Sequence, residues 1–214
     1  PNYKPEKFYI TDAFTEHAIR YVNGHAREEK DKPFFLYLAY TAAHWPIHAF
    51  PEDIDAYNGQ YDGGYEPVRK ARFERQLNLG IVKPEWTLSP TVGDWEKFPA
   101  QKWESRMMQA YAAMITRMDD GIGRLVATLE KNGQLDNTII FFLQDNGACA
   151  EPVSHEKPES YKLEPGSPDT FLGYGRNWAN TSNTPFRYYK HYQHEGGIST
   201  PLIVHWPKGI PAAR

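Results

Sequence analysis

The sequence predicts an α/β fold with a mostly parallel sheet, and three features predict it. Residues 34–40, Phe-Phe-Leu-Tyr-Leu-Ala-Tyr, are an unbroken apolar and aromatic run after Pro33, the pattern of a strand covered on both faces in a parallel sheet. From Trp103 onward Met107, Met108, Tyr111, Met114, Ile115, Met118, Ile122, Leu125, Val126 and Leu129 keep helical spacing as far as Asn132-Gly133, which predicts one long helix with a broad buried face. A short turn then leads into Asn137–Gln144, a second buried strand, so that helix, turn and strand read as half of a parallel crossover unit.

The remaining elements follow in order. Thr11 or Asp12 can cap a helix over about residues 12–24, with Phe14, Ala18, Ile19 and Val22 on its apolar stripe and Asn23-Gly24 as its stop. After the first strand comes a loop carrying His44, Pro46 and His48. Residues 59–102 hold Gly63-Gly64, several prolines and aromatics without a sustained period, which predicts an excursion or lid with short helical pieces at most. The methionines of the long helix are core filler rather than a cofactor box, because the flexible thioether chain suits irregular packing. Residues 150–185, rich in Pro, Gly, Ser and Asn, predict a long functional loop, and Pro201–Trp206 a last strand before Pro207 and Gly209.

Composition narrows the classes of function. A chain of 214 residues with 40% hydrophobic and 24% charged residues is ordinary globular material, not disordered or fibrous. The net charge of −3, without a run of Lys or Arg that tracks a phosphate backbone, argues against nucleic acid. The longest apolar runs fall far short of the roughly 20 residues that span a bilayer, so no membrane segment is expected. Cys149, the single cysteine, excludes a disulfide within the chain and a zinc site of several thiolates, while leaving the redox compartment open. Pro1 and the polar residues after it read as a piece cut from a longer chain.

Ligands of open α/β sheets bind beyond the carboxyl ends of the strands, and three clusters have that position. Asp145-Asn146-Gly147 follows a hydrophobic strand; a carboxylate beside an amide oxygen suits a hard cation such as Ca²⁺, and equally makes an Asx turn. His44-Trp45-Pro46, with His48, follows the first strand; a histidine there can donate to an anionic oxygen or protonate a leaving group, or simply be held by a backbone carbonyl. In the run from Arg187 to Gly197, cations and histidines alternate with aromatics, as in an anion pocket or a solvated strand face. The spacing of His191 and His194 suits zinc on one helical face, but the following Gly-Gly argues against a helix.

Together these segments resemble the sulfatase family of arylsulfatase type. The resemblance rests on residues 33–46, on Tyr111–Asp119, on Gly133–Gly147 and on Asn183–Pro201, which keep the family's order over most of the chain. It implies an alkaline-phosphatase-like α/β/α sandwich, here incomplete, with residues 1–214 as part of a single catalytic domain. It implies hydrolysis of a sulfate ester beside a divalent cation, usually calcium, with magnesium as the alternative. By the same resemblance Asp145 and Asn146 supply oxygen ligands to the metal, His44 contacts the sulfate or the leaving oxygen, and Lys190 holds sulfate oxygens as a point charge. The implied partners are a sulfated small molecule or sulfated glycan, together with the rest of the domain or a partner chain, and the implied location is exported: periplasmic, extracellular or lysosomal.

The family's nucleophile is a formylglycine made from Cys or Ser in a Cys/Ser-x-Pro-x-Arg motif, and no such motif occurs in these residues. Cys149 is followed by Ala150-Glu151-Pro152, Ser199-Thr200-Pro201 lacks the arginine, and Asn183-Thr184-Pro185-Phe186-Arg187 has Asn at the reacting position. The formylglycine is therefore expected outside this stretch, and this stretch alone is expected to be inactive. Two other readings compete: a metal-dependent phosphoesterase of the same superfamily, and a non-catalytic module whose Trp45, Trp178 and neighbouring tyrosines stack on sugar rings.

Overall fold

Helix α1 (Ile10–Glu28) buries Thr11, Ala13, Thr15, Ala18 and Val22; of the expected stripe Ala18 and Val22 are buried, whereas Phe14 and Ile19 are only half-buried and the small Thr11, Ala13 and Thr15 take the inner face. In the computed structural model, which describes residues 7–210, neither Thr11 nor Asp12 caps it: the N-cap is Tyr9, whose side chain makes no capping hydrogen bond. Asp12 instead receives Arg117 Nη2 at 2.9 Å, and Thr15 bonds the Thr11 carbonyl at 3.0 Å and the Tyr40 hydroxyl at 2.7 Å. Asn23-Gly24 does not stop the helix either. Asn23 Oδ1 accepts from Asn132 Nδ2 at 3.0 Å, and such tertiary contacts outweigh the ~1 kcal/mol that a helical glycine costs.

The chain divides into two compact units, one of residues 1–42, 115–143 and 202–214, the other of residues 43–114 and 144–201. The first holds α1, the second half of α4 (Gln101–Lys131) and the strands β1 (Ile140–Leu143) and β2 (Leu202–His205). Both strands lie where the sequence predicts them. They pair with each other antiparallel, Ile140 opposite His205 and Leu143 opposite Leu202, so the described ladder is not the parallel one expected. Phe141 and Leu143 are more than half exposed, so β1 is not covered on both faces. Residues 34–40 form no strand: Phe35 is 92% and Tyr37 81% exposed. Strand hydrogen bonds come from a neighbour, and among the described residues no strand runs beside this segment.

The second unit holds α2 (Pro51–Asp55), α3 (Tyr65–Asn78), the first half of α4, α5 (Gly175–Ser182) and α6 (Glu195–Ile198) around a core of Ile47, Tyr65, Met107, Leu172 and Trp178. Its 14-residue α3 corrects the expectation of short helical pieces within 59–102, and α5 the expectation of a loop throughout 150–185. α3 was hidden because its buried face is anchored by an arginine: Arg69, fully enclosed, donates to the Ser89 carbonyl, the Ser89 hydroxyl and Thr91 Oγ1. All the methionines of α4, Met107, Met108, Met114 and Met118, are buried, as core filler should be. No helix among the described residues is long and apolar enough to cross a membrane.

A polar knot sits inside this second core. Glu104, wholly buried on α4, accepts from the Tyr65 hydroxyl at 2.7 Å and from His155 Nε2 at 2.6 Å, and its backbone carbonyl takes the Trp178 indole N–H at 2.9 Å. Burial and the neighbouring carboxylate raise the Tyr65 phenol, which stays a donor.

Candidate functional site

The loop after β1 is built by close backbone approach. A Cβ on Gly147 would stand 1.8 Å from the Gly196 carbonyl oxygen, and one on Gly196 2.2 Å from that of Tyr188, so only glycine fits where the two loops meet. Gly147 N–H donates to the Gly197 carbonyl at 2.9 Å, Lys190 N–H to the Ala148 carbonyl at 3.0 Å, and Thr200 Oγ1 to the Gln144 carbonyl at 2.9 Å. Asn183 completes the join, its Oδ1 accepting from Ala148 N–H at 2.9 Å and its Nδ2 donating to the Tyr188 carbonyl at 3.0 Å. Segments 144–149 and 183–200, far apart in sequence, thus form one layer.

Glu151 joins Lys190 and His191 of that layer to Trp45. Its Oε2 accepts the Trp45 indole N–H at 2.8 Å, and its Oε1 accepts His191 Nε2–H at 2.8 Å with Lys190 Nζ at 3.4 Å. These contacts hold its carboxyl at about 2, the His191 bond first, then the Trp45 bond and the Lys190 charge. Lys190 is half-buried between left-handed residues: Tyr188 has φ 64° and His191 φ 81°, conformations that L side chains adopt at a cost of order 1 kcal/mol. His191 and His194 therefore share no helical face, and His194 lies edge-on to Tyr188 with centroids 4.6 Å apart.

His44 neighbours this group through Trp45. Its Nδ1–H donates to the Trp45 carbonyl at 2.8 Å, which leaves Nε2 as the outward nitrogen on an exposed ring. His48, by contrast, is tied by Nε2–H to the Thr170 carbonyl at 2.7 Å. Lys190 and Trp45 thus meet at Glu151, with the His44 ring centroid 4.7 Å from that of Trp45, whereas Asp145 is exposed and makes no hydrogen bond or ion pair with Lys190 or Trp45. Asn146 turns its Nδ2 to the Gly147 carbonyl at 2.8 Å.

The donor set limits what the described residues hold. A calcium ion takes about six to eight oxygens, and Asp145 with Asn146 offers only a fraction of them. Among the described residues no group of three His, Cys, Asp or Glu stands close enough to bind a metal. These residues do not make a cation site by themselves. Cys149 is not an activated nucleophile: burial pushes its thiol up from the ordinary value.

Sequence reasoning missed Glu151 and Asn183. A single glutamate in a Pro-rich loop has no spacing signal, because its partners lie 40 and 106 positions away. The reading of Trp178 as a sugar-stacking ring is overturned: it is fully enclosed and its N–H is used by Glu104. Asn180 of the sequon Asn180-Thr181-Ser182 is likewise enclosed, with its Oδ1 on the Val92 N–H at 3.3 Å.

The family model described as Sulfatase matches residues 1–214. An uncharacterized sulfatase of Schizosaccharomyces pombe is 35% identical over 218 residues, covering 94% of this chain and 39% of that protein. The arylsulfatase of Klebsiella aerogenes is 37% identical over 216 residues, covering 95% and 46%. The crystal structure of Ps i-CgsB in complex with k-i-k-neocarrahexaose superposes with a TM-score of 0.56 at 28% identity, over 95% of this chain and 29% of that one. The chain thus spans less than half the length of the curated relatives it matches, and its fold is of the alkaline-phosphatase-like α/β class.

Proposed function

Because this chain belongs to the sulfatase family, we propose that the protein hydrolyses sulfate monoesters, with His44 and Lys190 acting on the sulfate and Asp145 and Asn146 contributing part of a calcium site. The observation that supports this reading is that Lys190 and Trp45, whose ring centroid stands 4.7 Å from that of His44, meet at Glu151.

Cleavage of a sulfate ester builds negative charge on the leaving oxygen. An ammonium at Lys190 has three N–H donors; Glu151 takes one direction, and the others serve sulfate oxygens. His44 holds its Nδ1 proton on the Trp45 carbonyl, so the proton handed to the leaving oxygen sits on Nε2 of the protonated ring. When bound, a divalent cation supplies further charge stabilisation, and a formylglycine supplies the nucleophile; neither motif nor ligand set for them is complete within these residues. The whole of 1–214 is read as part of a single catalytic domain. Substrates are read as sulfated small molecules or sulfated glycans, and the location as exported.

The test is release of phenol from an aryl sulfate by the full-length protein that carries this chain. Turnover that falls sharply on Lys190→Ala supports the reading. Absence of turnover in the unsubstituted, calcium-loaded protein overturns it.

A further inference from the structure

The geometry points to Glu151 as a specificity-determining residue: a fixed carboxylate beside Lys190 that makes the anion site favour singly charged over doubly charged tetrahedral esters. This deepens the sulfatase reading and rests on it.

Sulfate and phosphate monoesters have the same tetrahedral shape and the same kind of acceptor oxygens, so hydrogen bonding to Lys190 and His44 barely separates them. Charge does. A sulfate monoester carries one negative charge, whereas a phosphate monoester carries close to two above its second pKa of about 6. An anion that approaches Lys190 Nζ meets a carboxylate oxygen 3.4 Å from the same nitrogen. The carboxylate cannot turn away: one oxygen is held by the Trp45 indole N–H and the other by His191, each at 2.8 Å. Nor is it discharged by protonation at working pH. The groups facing it are Lys190, His191, Trp45 and Cys149, and the thiol stays neutral. Repulsion from Glu151 therefore acts once on a sulfate ester and twice on a phosphate ester, a repulsive element that discriminates against the wrong ligand. One like charge at several ångströms in a half-exposed setting is worth about tenfold in relative affinity.

The experiment measures binding of phenyl sulfate and phenyl phosphate by calorimetry at pH 7.5 and pH 5, together with phenol release, in the full-length protein and its Glu151→Gln and Glu151→Asp variants. The expected result is that Glu151→Gln shifts the sulfate-to-phosphate affinity ratio about tenfold toward phosphate at pH 7.5 and much less at pH 5, while Glu151→Asp keeps the original ratio. An unchanged ratio in Glu151→Gln overturns the proposal, and so does an equal shift in both variants, which would assign the effect to the geometry of the clamp rather than to its charge. Circular dichroism spectra of the three proteins below their thermal midpoints show that they fold alike. Charge-dependent binding without phenol release would leave Glu151's role standing and refute the sulfatase reading, so the two failures are distinct.

Discussion

Lys190 is a point charge whose direction is set by other residues, and its replacement separates charge from scaffold. Lys190→Ala is expected to lower aryl sulfate turnover of the full-length protein by a factor of order 10² to 10³ with little change in the folded midpoint, as for other donors that act mainly in the transition state. Glu151 has a second consequence, on stability. Its carboxyl is lowered from an ordinary value of 4.5 to about 2, so the stabilisation it brings is complete above about pH 4.5 and is lost as pH falls toward 2. The slope of stability against pH, followed by circular dichroism, should therefore differ between the unsubstituted protein and Glu151→Gln only in that window, the variant having the shallower dependence and the lower stability above it. His44 and Lys190 could be singled out in the sequence as candidates because each stands in a recognisable run. Glu151 could not, since its role comes from Trp45 and His191, brought in from elsewhere by the fold.

At the scale of elements, legibility followed apolar periodicity. α4 could be read almost to its ends because its buried face is Met and Ala at helical spacing, and Gly133, at φ 66°, closes it as a left-handed glycine should. α3 could not, because its buried positions pair Tyr65 with Arg69, and a guanidinium in sequence reads as surface. Its burial has a testable cost. Arg69→Ala would leave the Ser89 carbonyl and Thr91 hydroxyl without their donor and open a cavity, a loss of about 3 kcal/mol readable as a lowered urea midpoint. Residues 34–40 failed in the opposite sense: their pattern is that of a strand, but a strand exists only beside another, and sequence periodicity does not report the neighbour.

For the whole molecule the chain's own inventory sets the expectation. It contains no Cys/Ser-x-Pro-x-Arg motif, and Asp145 with Asn146 makes an incomplete ligand set. The 214-residue chain alone should bind calcium weakly in calorimetry and release no phenol from an aryl sulfate; tight binding or turnover near that of the full-length protein would show that the ligand and nucleophile assignments are wrong. Asn180 adds a constraint of another kind. Its amide lies inside the second unit, so an oligosaccharide transferase can reach it only while that unit is still unfolded. In a eukaryotic secretory host, folding and glycosylation at Asn180 would compete for the same chain, and a glycan there would mark molecules that lost the race, a heavier band on a gel standing for misfolded protein rather than for maturation.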